Sequence, residues 1–122
     1  MRIRFVVPAL VLAMACAAVC APAAYAVDYR YSRVRSLVSD GNGYARQAEN
    51  CRNEAERYNR EAGRYSREAD SYRRRGKEDL ALDYQKRAAR AADKAADAMR
   101  RCRNYEERAA DAYRRAARSI ED

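Results

Sequence analysis

The chain has 122 residues, with 26 Lys and Arg against 18 Asp and Glu for a formal net charge of +8, and it contains neither histidine nor tryptophan. That composition excludes a His-based acid/base pair or a His metal site, and the absence of any C-x-x-C spacing argues against a thioredoxin-like redox motif or a structural zinc site. Ser32, Ser36, Ser39, Ser66, Ser71 and Ser119 have no partner base and no G-x-S-x-G setting, so the expectation is a protein that is not an enzyme and needs no cofactor.

Residues 1–26 read as a secretory leader. Arg2 and Arg4 give a positive start, Phe5 to Val19 form an uncharged apolar run, and Ala24-Tyr25-Ala26 is a small-x-small cleavage site. Cleavage there leaves 96 residues, no transmembrane segment, and a periplasmic or secreted protein. The alternatives are an uncleaved membrane anchor or lipidation at Cys16. Of the four cysteines only Cys51 and Cys102 fall in the mature part, and an even thiol count in an oxidising compartment favours a disulfide between them.

Residues 27–43 are expected to form an extension, a frayed or kinked helix. Ser39-Asp40-Gly41-Asn42-Gly43 is the strongest breaker cluster of the mature chain. The heptad phase nevertheless runs upstream through Val34 and Leu37 to Gly41, which favours packing near Ala116 and Ser119.

Residues 44–122 carry the pattern of an all-α fold, a long antiparallel two-helix hairpin. Tyr44, Cys51, Tyr58, Tyr65 and Tyr72 recur every seven residues, and Ala48, Ala55, Ala62 and Ala69 recur at the same interval, offset by four. This is an Ala/Tyr heptad coiled coil. In the second half Tyr84, Ala88, Ala91, Ala95, Ala98, Cys102, Tyr105, Ala109, Ala112 and Ala116 alternate steps of four and three. A turn at Gly76 sets Cys51 opposite Cys102, and the same register sets large against small: Tyr44 with Ala109, Tyr58 with Ala95, Tyr65 with Ala88, Ala69 with Tyr84. Arg73, Arg74 and Arg75 end the first helix, and Glu78 and Asp79 begin the second, as the helix dipoles favour. Acids at Glu56, Asp70, Asp97 and Asp111 have arginines four residues on and read as a solvated face.

A core of alanine and tyrosine buries little area, so the hairpin needs a cross-link or an oligomer. The second helix has apolar residues that the first seam does not use. Leu82, Ala89, Ala92, Ala96, Met99, Ala110, Tyr113, Ala117 and Ile120 form a stripe one position beyond it, interrupted by Arg103 and Glu106. This predicts a protein partner or a homodimer through helix two, a second hairpin giving a four-helix dimer. Arg73, Arg74, Arg75 and Lys77 form a basic tip suited to an anionic envelope polymer or lipid head groups. Nucleic acid is disfavoured, because the tyrosines are committed to the seam and cannot stack on bases.

Around the turn, Tyr72, Gly76, Ala81 and Ala88 sit at the offsets of a tetratricopeptide helix pair, with Ala69 where that repeat has glycine, and the segment resembles a single such repeat. The alanine heptads are similar to those of small envelope proteins built on alanine zippers. A basic, helical, secreted chain also resembles the periplasmic holdase chaperones in kind, which implies binding of unfolded clients. The expected role is therefore a structural spacer or interaction module of the cell envelope, with a polyanion binder and a holdase as the alternatives.

Overall fold

A computed structural model describes residues 28–122 in full and the helical backbone from Val6; the leader and its cleavage site lie outside the fully described residues. Two helices pack against each other as a hairpin, with no strand among the described residues: α1, Val6–Arg74, and α2, Glu78–Glu121. The 44 residues of α2 run back along α1 for about 65 Å. At the open end the Arg30 guanidinium donates to the carbonyl of Asp122 at 2.8 Å, so the two helices stay side by side to the last residue.

The reversal is a helix-ending motif that only glycine fits comfortably. Gly76 has φ 74°, the left-handed conformation in which a Cβ is strained. Its N–H bonds the carbonyl of Arg73 at 3.0 Å and the N–H of Lys77 bonds the carbonyl of Tyr72 at 3.0 Å, the paired bonds of a Schellman cap. The carbonyl of Lys77 then accepts the first bond of α2 from Ala81. Glu78 and Asp79 in the first turn and Arg73 and Arg74 in the last oppose the dipole charges at the two helix ends.

The buried seam consists of alanine and cysteine, with one glycine. Ala48, Cys51, Ala55 and Ala69 of α1 meet Ala81, Ala91, Ala95, Ala98, Cys102, Ala109, Ala112 and Ala116 of α2. Ala55 is 1% exposed and Ala98 0%. Tyr44, Tyr58, Tyr65, Tyr72, Tyr84 and Tyr105, expected inside the seam, are only half-buried. Alanine layers hold the helices too close for a ring to sit between them, so the rings lie along the flanks and pair with each other. Tyr44 and Tyr105 stack at 6.4 Å, Tyr72 and Tyr84 at 5.2 Å, and Tyr65 tilts against Tyr84 at 6.0 Å. Arginines cover their outer faces: Arg87 lies 4.9 Å from the Tyr84 ring and Arg57 5.1 Å from Tyr58, while Arg108 spans Tyr44 and Tyr105.

The breaker cluster at residues 39–43 does not interrupt α1. Two glycines in a helix cost about 1 kcal/mol each relative to alanine. Here the packing offsets that cost. Gly41 is buried, and the ring of Tyr113 lies on it so closely that a Cβ would come within 2.6 Å of the ring. The Tyr113 hydroxyl donates to Asn42 Oδ1 at 2.6 Å, so this stretch is tied to α2 by a contact that the two glycines permit.

Candidate functional site

Cys51 and Cys102 form one buried cluster with Ala48, with Tyr105 packed against it. Both are free thiols in this structure. The Cys102 S–H donates to Glu106 Oε1 at 3.4 Å, and the Arg52 guanidinium hydrogen-bonds the same carboxylate oxygen. Arg101 reaches across to Glu54 at 3.3 Å, so cross-helix ion pairs bracket the thiols. Exposed pairs of this kind contribute at most about 1 kcal/mol each and act chiefly to hold register.

Burial, the hydrogen bond to Glu106 and the negative charge of Glu106 push the Cys102 thiol above its ordinary pKa of 9.0, with Arg52 opposing them. The folded state therefore keeps a proton that the unfolded chain releases. That contribution to stability is complete below pH 9.0 and is lost as pH rises through the thiol's ordinary range towards its higher folded value. Tyr84 is also raised from its ordinary 10.0, first by the neighbouring Tyr72 and then by desolvation, and acts in the same sense at higher pH. Thermal melts of the reduced protein should accordingly fall with rising pH from about pH 9. Cys102→Ala should remove the first part of the fall and leave the part due to Tyr84; a melt identical in both proteins across that range would refute the assignment.

Asp70, Asp111 and Asp97 pair with the arginines three residues on, Arg73 at 3.5 Å, Arg114 at 2.7 Å and Arg100, while Asp83 keeps the four-residue spacing to Arg87 at 3.1 Å. Two of the arginines at the fourth place are drawn elsewhere. Arg101 crosses to Glu54, and Arg115 lines a cleft with Leu37, Asp40 and Tyr44 of α1.

Arg73, Arg74, Arg75 and Lys77 are all exposed at the closed end. Arg73 contacts Asp70, and the Arg75 guanidinium lies 6.0 Å from the Tyr72 ring, so part of this charge is engaged within the turn. A further basic cluster draws on both helices. At the open end Arg30 and Arg33 of α1 line a cleft with Arg115 and Arg118 of α2. These residues are more than eighty positions apart, and only the hairpin joins them; extending the heptad register to Val34 was the one sequence signal that pointed there.

The stripe on α2 is exposed along its whole length. Leu82, Ala89, Ala92, Ala96, Met99, Ala110, Tyr113 and Ala117 all face solvent, and Ile120 is 69% exposed. On the same side of the hairpin α1 presents Ala45, Glu49 and Arg52, which line a shallow groove with Glu106, Ala110 and Tyr113. This stripe belongs to α2, while the large apolar side chains that α1 exposes, Tyr29, Tyr31 and Val38, lie towards the open end.

Among the described residues no group of three or more His, Cys, Asp or Glu side chains converges as a metal site, and no helix is long and apolar enough to cross a membrane. No family model, curated protein or solved structure matches the chain.

Proposed function

We propose that this chain is a non-enzymatic protein of the cell envelope or the exterior, an Ala/Tyr heptad coiled coil stapled by Cys51 and Cys102, that acts as a spacer or interaction module through helix two. The supporting observation is the exposure of Leu82 at 52%, Met99 at 38% and Ile120 at 69% on a helix that already uses a separate seam for its own partner. Leaving side chains of that size in water along one stripe of a helix is the pattern of a contact surface. Helix one has only Ala45 at the equivalent place, so the contact is made by α2. The leader-like residues 1–26 and the paired thiols support an oxidising compartment.

A photo-crosslinking residue placed at Ala96 in living cells tests the reading, with one at Arg60 on the exposed face of α1 as control. Adducts from position 96 and none from position 60 are expected. No adduct from either position, or equal labelling from both, would remove the claim that helix two is the contact surface.

A further inference from the structure

The two charges that interrupt the apolar stripe identify what covers it. The stripe has its own heptad spacing: Leu82, Ala89, Ala96, Arg103, Ala110 and Ala117 recur every seven residues, as do Gln85, Ala92, Met99, Glu106, Tyr113 and Ile120. A helix with two such seams offset by one residue can hold one neighbour on each, roughly a quarter-turn apart. The first seam of α2 is filled by α1. We propose that the second is filled by α2 of a second copy, antiparallel, about a two-fold axis that sets Arg103 of each chain opposite Glu106 of the other. This rests on the reading of helix two as the contact surface and names its partner.

Three features of the sequence, laid on the observed exposure, favour that register. First, it neutralises the interruption, because the only two charged residues in the stripe meet each other at the centre. Glu106 already accepts a hydrogen bond from Arg52, so the arrangement gathers two guanidinium groups around one carboxylate on each side of the axis. Second, it alternates size along the contact. Met99 faces Ala110, Ile120 faces Ala89, and Tyr113, whose ring also covers Gly41 of its own chain, faces Ala96, each large against small, while the layer of Ala92 and Ala117 is small on both sides.

Third, the flanking charges agree. The residues bordering the stripe on its outer side are Lys86, Asp93, Arg100, Glu107, Arg114 and Glu121, all exposed. In this register Lys86 lies beside Glu121 of the second copy, Asp93 beside Arg114, and Arg100 beside Glu107, and each pair occurs twice by symmetry. Arg100 and Arg114 already contact Asp97 and Asp111 within their own helix, so the intermolecular pairs tune register more than they add affinity.

Neighbouring registers fail the same test. A slip of one heptad in one direction puts Lys86 beside Arg114, Asp93 beside Glu107, and Arg100 beside itself. The opposite slip puts Asp93 beside Glu121, Arg100 beside Arg114, and Glu107 beside itself. A two-heptad slip restores opposite flanking charges but leaves Arg103 and Glu106 against alanine or isoleucine, uncompensated. Parallel pairing stacks Arg103 on Arg103 and Glu106 on Glu106. Charge pattern as a selector of register and orientation is the usual device of paired helices.

Sedimentation equilibrium of the protein as isolated from cells, at micromolar concentration and low salt, tests the pairing. A dimer is expected. Arg100→Glu places like charges together twice and should weaken it by about tenfold. Adding Glu107→Arg in the same chain should restore it, since only this register sets those two positions against each other. Ala92→Glu should give monomers of unchanged helicity, because Ala92 is exposed in the single hairpin. A wild-type monomer, or a double exchange that fails to restore what the single change lost, overturns the proposal. Crosslinking from Ala96 separates it from the broader reading. An adduct of twice the chain mass supports self-pairing; an adduct with a different protein overturns self-pairing and leaves helix two as a contact surface; no adduct removes both.

Discussion

Oxidising the reduced protein to a Cys51 to Cys102 disulfide is expected to raise its stability by about 4 kcal/mol, the chain-entropy value for a loop of this length. For a domain of this size that corresponds to a rise in thermal midpoint of about 20 °C. The expectation rests on three observations. Both thiols are buried in one cluster, so bond formation does not bring distant groups together. The layers that hold them are alanine, which permits the close backbone approach a disulfide requires. Among the described residues no large aliphatic side chain is fully buried, so the reduced hairpin has little burial to set against the entropy of ordering two long helices. Burial also makes an interchain bond the harder alternative, since Cys51 is 7% exposed and Cys102 1%. The check is a thermal melt followed by helicity, before and after oxidation, with intact mass reporting loss of about two mass units and no change in chain number. A midpoint that does not move, or a covalent dimer, would show that the cysteines are not a staple.

Much of this geometry is legible in the sequence because it depends on periodicity. The seven-residue repeats of alanine and the spacing of Cys51 and Cys102 about Gly76 specify which residues share the seam, and the left-handed Gly76 sits where the loaded arginines and the following acids point. What periodicity does not convey is side-chain direction. Tyr44, Tyr65 and Tyr84 hold the expected heptad positions, yet their rings leave the seam, since a contact set by alanine is too narrow for them. Nor does local propensity foresee tertiary contact. Gly41 reads as a breaker until Tyr113 is placed upon it, seventy-two residues later in the chain, and the basic cleft of Arg30, Arg33, Arg115 and Arg118 exists only once both helix ends lie together. Ion-pair partners depend on the neighbouring helix in the same way. Positions three and four residues on are nearly equivalent along an isolated helix, and it is the neighbouring helix that draws Arg101 to Glu54 and Arg115 to the α1 cleft.

Replacing Ala98 by leucine should be among the most damaging single changes to the hairpin, costing about 1–3 kcal/mol. Ala98 is 0% exposed and belongs to the layer next to the cysteines, where Ala55 supplies the other wall. Leucine has good helix propensity, so the loss would come from steric separation of the two helices and not from the secondary structure itself. Asn104→Leu, an exposed position away from both α2 seams, provides the control and should shift the midpoint by no more than about 0.5 kcal/mol equivalent. The same separation should reach the thiols. One turn from the enlarged layer, Cys51 and Cys102 would be held apart, so Ala98→Leu should slow or abolish oxidation while Asn104→Leu leaves its rate unchanged. If Ala98→Leu melts like the wild type and oxidises at the same rate, close alanine packing is not what brings the cysteines together. If stability falls and oxidation is unimpaired, the seam yields locally and the staple forms independently of the Ala55 and Ala98 layer.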